Sequence, residues 1–166
     1  IEYFKETLKR QAMINAKVKF VFYDDINNEV TEYYYENGIV DYINEVNNGK
    51  EITQPYLITG EGTGKDREDK PDYKVQAEIV FCFNNHVNKI EYYHNSSYLE
   101  HGGSPDVAVK NAFVYVFDKL LKDNNKYNKN ETKVSFVDIQ DSLVLISNSF
   151  STQTSYENQT KKSITN

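Results

Sequence analysis

At 166 residues, 39% hydrophobic and 14% aromatic, the chain can bury one substantial core but not comfortably two, so a single domain is expected. A net charge of −6 and a pI near 5.1 exclude a surface built mainly to hold nucleic acid, which needs Lys and Arg to displace counterions from phosphates. The single cysteine, Cys82, lies in the apolar run Ile79-Val80-Phe81-Cys82-Phe83, which excludes a disulfide framework or cysteine zinc site and fits a reducing, cytoplasmic setting.

No apolar stretch approaches the roughly 20 residues that span a bilayer. The start Ile1-Glu2-Tyr3-Phe4 has neither an initiator Met nor a signal-peptide apolar region, and reads as the interior of a longer protein. Residues 2–14 place Phe4, Leu8 and Ala12 at helical spacing among charges, a helix entering from an upstream domain. Val18, Phe20 and Phe22 then alternate over 17–23, Asp24 to Asn28 supply turn residues, and Val30–Tyr35 returns as the second strand of a hairpin. Gly38 breaks that strand, and Ile39, Tyr42, Ile43 and Val46 form the apolar stripe of a short helix ended by Asn47-Asn48-Gly49.

Further along, Tyr56–Thr59 reads as a strand, Gly60–Asp72 as a polar Gly-rich loop, and Tyr73–Phe83 and Lys89–His94 as strands extending the same sheet. Ser104-Pro105-Asp106 is a helix start, with Ser as N-cap, Pro at the first helical position and an acid near the positive dipole end. Val109, Ala112, Phe113, Val116, Phe117 and Leu120 make a core-facing stripe running to Asp123. A polar break, a short turn or helix at Asp138–Asp141, a strand at Leu143–Asn148 and a polar tail from Thr152 complete the chain. The fold class is therefore α+β: one mostly antiparallel sheet with helices on one face.

Four segments give the chain a family resemblance. Leu8-Lys9-Arg10-Gln11-Ala12-Met13-Ile14-Asn15, Tyr35-Glu36-Asn37-Gly38-Ile39-Val40-Asp41-Tyr42-Ile43, Glu100-His101-Gly102-Gly103-Ser104 and Gln159-Thr160-Lys161 share their order and spacing with the second domain of the B subunit of bacterial type II DNA topoisomerases. The resemblance covers nearly the whole chain. It departs from the pattern at Pro105, where that family carries a His after its Gly-Gly-Thr.

The resemblance implies a ribosomal-protein-like fold with a left-handed βαβ crossover, which periodicity does not reveal because right-handed crossovers are the default. It divides the chain into a connecting helix (1–16) from an upstream ATPase domain, a transducer domain (17–150) and a Gln-Thr-Lys loop segment (151–166). Through it, Lys161 is expected to contact the γ-phosphate of ATP held with Mg2+ in that upstream domain, with Gln159 as its polar companion. A Lys ammonium suits a terminal phosphate, and the contact reports nucleotide state because that charge leaves on hydrolysis. Without its partner domain the loop is expected to lack a fixed place. The implied partners are the ATPase domain, a downstream Toprim domain, the topoisomerase A subunit and DNA, in a dimeric parent whose isolated fragment is inactive. Two other readings stay open: the same-fold second domain of a mismatch-repair or chaperone-type ATPase, and a ribosome-associated binding module.

Other candidate sites are weak. Gly60-Glu61-Gly62-Thr63-Gly64-Lys65-Asp66 fails as a phosphate loop, since Thr59 stands where Gly is needed and Asp66 where Ser or Thr is needed. His86, His94 and His101 lack ligand spacing for a metal and read as surface or turn residues. Gly102-Gly103 reads as a tight turn into the helix. Lys119, Lys122, Lys126, Lys129 and Lys133 are interspersed with acids and read as a solvated charged face.

Overall fold

The first helix, α1 (Glu2–Ile14), buries only its last turn, Ala12, Met13 and Ile14, in the computed structural model, which describes residues 1–165. Its outer turns stand in solvent, with Tyr3 76% and Phe4 59% exposed. The predicted hairpin forms as β1 (Phe20–Asp24) and β2 (Glu29–Tyr33), its turn closed by Asp24 Oδ1 accepting from the amides of Ile26 and Asn27. It starts later than the alternation suggests because Lys17 takes φ +67°, which interrupts extended backbone. The hairpin is also a separate two-stranded sheet rather than part of the main one, with Phe20 and Tyr33 packed against the core.

Helix α2 (Ile39–Asn47) buries the expected stripe at Ile39, Tyr42 and Ile43. Gly38 precedes it at φ +56°, where an added Cβ would stand 3.1 Å from the Met13 carbonyl oxygen. Glycine is thus what lets α2 start against the end of α1.

The main sheet contains β3 (Tyr56–Gly64), β4 (Tyr73–Phe83), β5 (Lys89–His94), β6 (Ser97–Tyr98) and β7 (Leu143–Ser151), in the order β3-β4-β7-β5-β6. All pairs are antiparallel except β5 with β7, which the chain joins through α3 (Ser104–Asp123) and α4 (Phe136–Gln140). The fold class is the α+β expected. Strand β3, however, runs on to Gly64, so only residues 65–72 of the predicted loop lie outside a strand. Its glycines hide a strand that pairing with β4 builds: Gly60 and Gly62 stand open to solvent, while the Tyr73 ring lies so close over Gly64 that a Cβ there would sit 2.4 Å from it.

Helices cover both faces of this sheet, not one. Alternation along β4 and β7 sends Val80, Cys82, Val144 and Ile146 toward α1 and α2, and Ile79, Phe81, Leu143 and Leu145 toward α3 and α4. Buried Asn47 donates to Cys82 Sγ at 3.0 Å and accepts from Asn84 Nδ2 at 3.1 Å, which satisfies the polar groups beneath α2.

Helix α3 meets the sheet along one row, Val109, Phe113 and Phe117, with Phe113 5.1 Å from Phe81 between ring centroids. The neighbouring row of the predicted stripe stands clear: Val116 is 50% and Leu120 51% exposed, and Ala112 is exposed. A helix lying on a sheet presses a narrow band of its surface into it, so the adjacent ridge stays outside. The helix also begins differently. Gly103, not Ser104, is its N-cap, and its carbonyl accepts the first helical bond from Val107 at 3.1 Å. No described helix is long and apolar enough to cross a membrane.

Candidate functional site

Beyond β7 the chain folds back on itself. Glu157 N donates to Ser163 O at 3.1 Å and Thr165 N to Ser155 O at 2.9 Å, so residues 155–157 and 163–165 run antiparallel. Gln159-Thr160-Lys161 stands at the tip of this hairpin. Asn158 shapes the tip: its Oδ1 accepts from the Thr160 amide at 3.1 Å and from the Thr160 hydroxyl, and its carbonyl accepts from Lys161 N at 3.2 Å. Lys161 itself takes the left-handed φ of +55°. Gln159 and Lys161 are exposed, and Lys161 Nζ lies 5.5 Å from the centre of the Tyr156 ring.

The sequence reading leaves this segment without a fixed place; the structure gives it one. Ile164 and Ser163 are 4% and 7% exposed, and Tyr156 packs into the cluster beneath α3. Two apolar anchors in a polar tail are enough to dock it, and polarity averaged over the segment conceals them.

The tail docks on Glu100–Ser104, another of the four segments that carry the family resemblance. His101 N donates to Lys162 O at 2.9 Å and Ser104 N to Ile164 O at 3.0 Å, while the Lys162 ammonium pairs with the Glu100 carboxylate. That ammonium holds the Glu100 carboxyl below the usual carboxylate range. Between them, Gly102 and Gly103 take φ of +66° and +88°. A Cβ on Gly103 would stand 2.2 Å from Ile164 O, so the glycine is needed for the tail's approach as well as for the turn into α3.

His94 holds the base of the hairpin and is buried, against the expectation of a surface residue; His86 and His101 are exposed as expected. Its Nδ1 and Nε2 lie 2.8 Å from Ser149 Oγ and from Thr154 Oγ1. Because Ser149 Oγ already donates to Tyr93 O, the ring donates through Nδ1 and accepts at Nε2 from Thr154. Asn95 Nδ2 completes the chain by donating to Thr154 Oγ1 at 3.1 Å. Burial pushes the His94 pKa down, consistent with this neutral form.

The remaining candidates resolve into structure. Among the lysines of the basic region, Lys122 and Lys133 turn to Asp118, at 2.7 and 3.6 Å, and Tyr127 donates to the same carboxylate at 2.9 Å. Asp118 is thereby the anchor of the segment after α3. The glycine-rich run is the end of β3. No group of His, Cys, Asp and Glu among the described residues is arranged to hold a metal ion. The Glu100 to Lys162 pairing escaped sequence reasoning because the partners lie far apart in the chain. The Asx turn at Asn158 has a local signal, since an Asn side chain readily accepts from the backbone two residues on.

A family model described as DNA gyrase B matches residues 38–166. The chain belongs to the DNA gyrase B family. Its curated relatives include the B subunit of DNA gyrase from Metamycoplasma arthritidis, 27% identical over 95% of this chain and 25% of that protein. The B subunit of DNA topoisomerase 4 from Mycoplasma capricolum is 28% identical over 85% of this chain and 20% of that protein. The chain therefore spans about a quarter of the length of the gyrase relatives it matches. Among solved structures, the 43K ATPase domain of Thermus thermophilus gyrase B in complex with an aminocoumarin superposes with a TM-score of 0.69 at 18% identity, over 99% of this chain and 42% of that one. The topoisomerase IV ATP-binding domain of Francisella tularensis gives 0.70 at 18% identity, over 99% and 42%. The residues that the family model matches include both the Gly-Gly turn and the tail hairpin.

Proposed function

We propose that the chain is the transducer domain of a type II topoisomerase B subunit, relaying the state of ATP bound in a neighbouring ATPase domain to the machinery that changes DNA topology. One observation carries the reading: the Gln-Thr-Lys tip and the outer end of α1 lie on the same side of the molecule. Tyr3, Thr7 and Arg10 of α1 line one cleft together with Glu100, Thr160 and Lys162. A domain joined ahead of α1 would meet this loop, with Lys161 and Gln159 exposed at its tip.

Of a nucleotide site, the chain offers the phosphate-facing part: an ammonium and a carboxamide on an anchored hairpin. ATP with Mg2+ would be held chiefly by the neighbouring domain. Lys161 would pair with the γ-phosphate and Gln159 would donate to it, so that the tip is held while the phosphate is present and released after hydrolysis. In the same reading the complete protein carries a Toprim domain, has an A-subunit partner, forms a dimeric assembly and acts on DNA in the cytoplasm, while this domain is inactive alone.

The test is DNA-stimulated ATP hydrolysis by the complete B subunit, assembled with its A subunit, comparing Lys161→Ala with wild type. The expected result is a large loss of turnover with ATP binding mostly retained. Unchanged hydrolysis would sink the phosphate role and leave only family and fold.

A further inference from the structure

The tip carries two adjacent lysines, and the structure treats them differently. Lys161 is exposed over the Tyr156 ring, whereas Lys162 is half-buried and paired with Glu100. Three backbone facts surround that pair. His101 N bonds Lys162 O, Ser104 N bonds Ile164 O, and Gly103 leaves no room for a side chain against Ile164. The tail backbone is thus held to the segment that leads into α3 at Lys162 and again at Ile164, and the ion pair is the side-chain clamp at the tip end of that seam.

We infer that Glu100 is a positioning residue for Lys161: by engaging Lys162 it holds the turn in the register that presents Lys161, and not its neighbour, to a phosphate. The inference rests on the phosphate reading above. It follows from the geometry of a tight turn, where successive side chains diverge. Fixing Lys162 toward Glu100, with Lys161 in a left-handed conformation, leaves Lys161 exposed with its ammonium over the Tyr156 ring and out of the pairing with Glu100. A one-residue slip would place Lys162 at the tip and withdraw Lys161. Glu100 also stands two residues before the Gly102-Gly103 turn, so holding or releasing the tip acts on the start of α3 through the same few residues.

The pair is half-exposed, with side-chain exposures of 43% and 50%, so its effect on turnover is modest. The experiment measures kcat and KM for ATP in the complete B subunit with its A subunit. The variants are Glu100→Ala, Lys162→Ala, the two combined, Lys161→Ala, and Glu100→Ala with Lys161→Ala. The expected outcome is a fall in kcat of about fivefold for Glu100→Ala and for Lys162→Ala at little-changed KM, with their combination no worse than either. Adding Glu100→Ala to Lys161→Ala should then change nothing further, because there is no ammonium left to position. Wild-type turnover in Glu100→Ala beside an impaired Lys161→Ala overturns the positioning role and leaves the phosphate reading standing. Losses at 100 and 161 that multiply overturn it as well, since the two residues would then act independently. A silent Lys161→Ala brings down both.

Discussion

Ser104 donates its amide to the carbonyl of Ile164 at 3.0 Å, so the first residue of α3 and the last anchor of the tail hairpin share a hydrogen bond. Gly103, bridged to Ile164 beside that bond, must leave the approach open, which makes it sensitive to any added side chain. Gly103→Ala would place a Cβ 2.2 Å from Ile164 O at φ +88°, so both the tail and the turn must shift. The expected cost is about 1–3 kcal/mol. Limited proteolysis should cut within residues 158–162 faster than in wild type, and equal protection would refute the docking of the tail on this turn.

A second expectation concerns pH. The His94 pKa lies below its ordinary 6.5 because burial disfavours the imidazolium. The unfolded chain therefore binds a proton at a pH where the native one does not. Stability from this residue is fully present above the ordinary value and is lost as pH falls below it toward the depressed one. Urea midpoints should drop between about pH 7.5 and about pH 5.5 in wild type, and less so in His94→Gln. Identical slopes for the two proteins would show that His94 takes no part.

Helix α3 supplies the third. Phe113 packs between Phe81 and Phe117, at ring-centroid distances of 5.1 and 6.5 Å, whereas Leu120 is 51% exposed. Phe113→Ala should cost about 3 kcal/mol, and Leu120→Ala about 0.5 kcal/mol or less. Comparable losses in chemical denaturation would mean that α3 is rotated about its axis, with the Leu120 row against the sheet.

Asp118 gives the fourth. The Lys122 ammonium, then Tyr127, hold its carboxyl below the ordinary 3.8. A depressed carboxylate adds stability above its unfolded value and loses it as pH falls through the folded one. Asp118→Asn should therefore lower the urea midpoint at neutral pH and approach wild type as pH falls below the ordinary 3.8. A gap that stays constant below that pH would point to packing and not charge.

Much of this architecture is readable from local patterns. Alternation marks Tyr73–Phe83 and the i, i+3, i+4 stripe marks α2, because each periodicity reflects burial on one side of a single element. What escapes has a tertiary cause. Gly60 to Gly64 reads as loop until Tyr73 and its neighbours on β4 pair with it. Val116 and Leu120 look like core until the sheet selects one row of α3. Of the tail, the order of Gln159, Thr160 and Lys161 carries the resemblance. The anchoring of Lys162 by Glu100 depends on a fold-back that joins segments some sixty residues apart, and no local pattern reports it.

The place of β7 in the sheet has a consequence for how the chain is made. It is the last strand in sequence yet sits between β4 and β5. During synthesis the β3-β4 hairpin and β5 emerge with the strand that must join them still inside the ribosome, and each presents an open edge until residues 143–151 appear. Non-local pairing of this kind is slow to form. A ribosome stalled shortly before Leu143 should therefore carry a protease-sensitive nascent chain, and protection should arrive abruptly once β7 clears the tunnel.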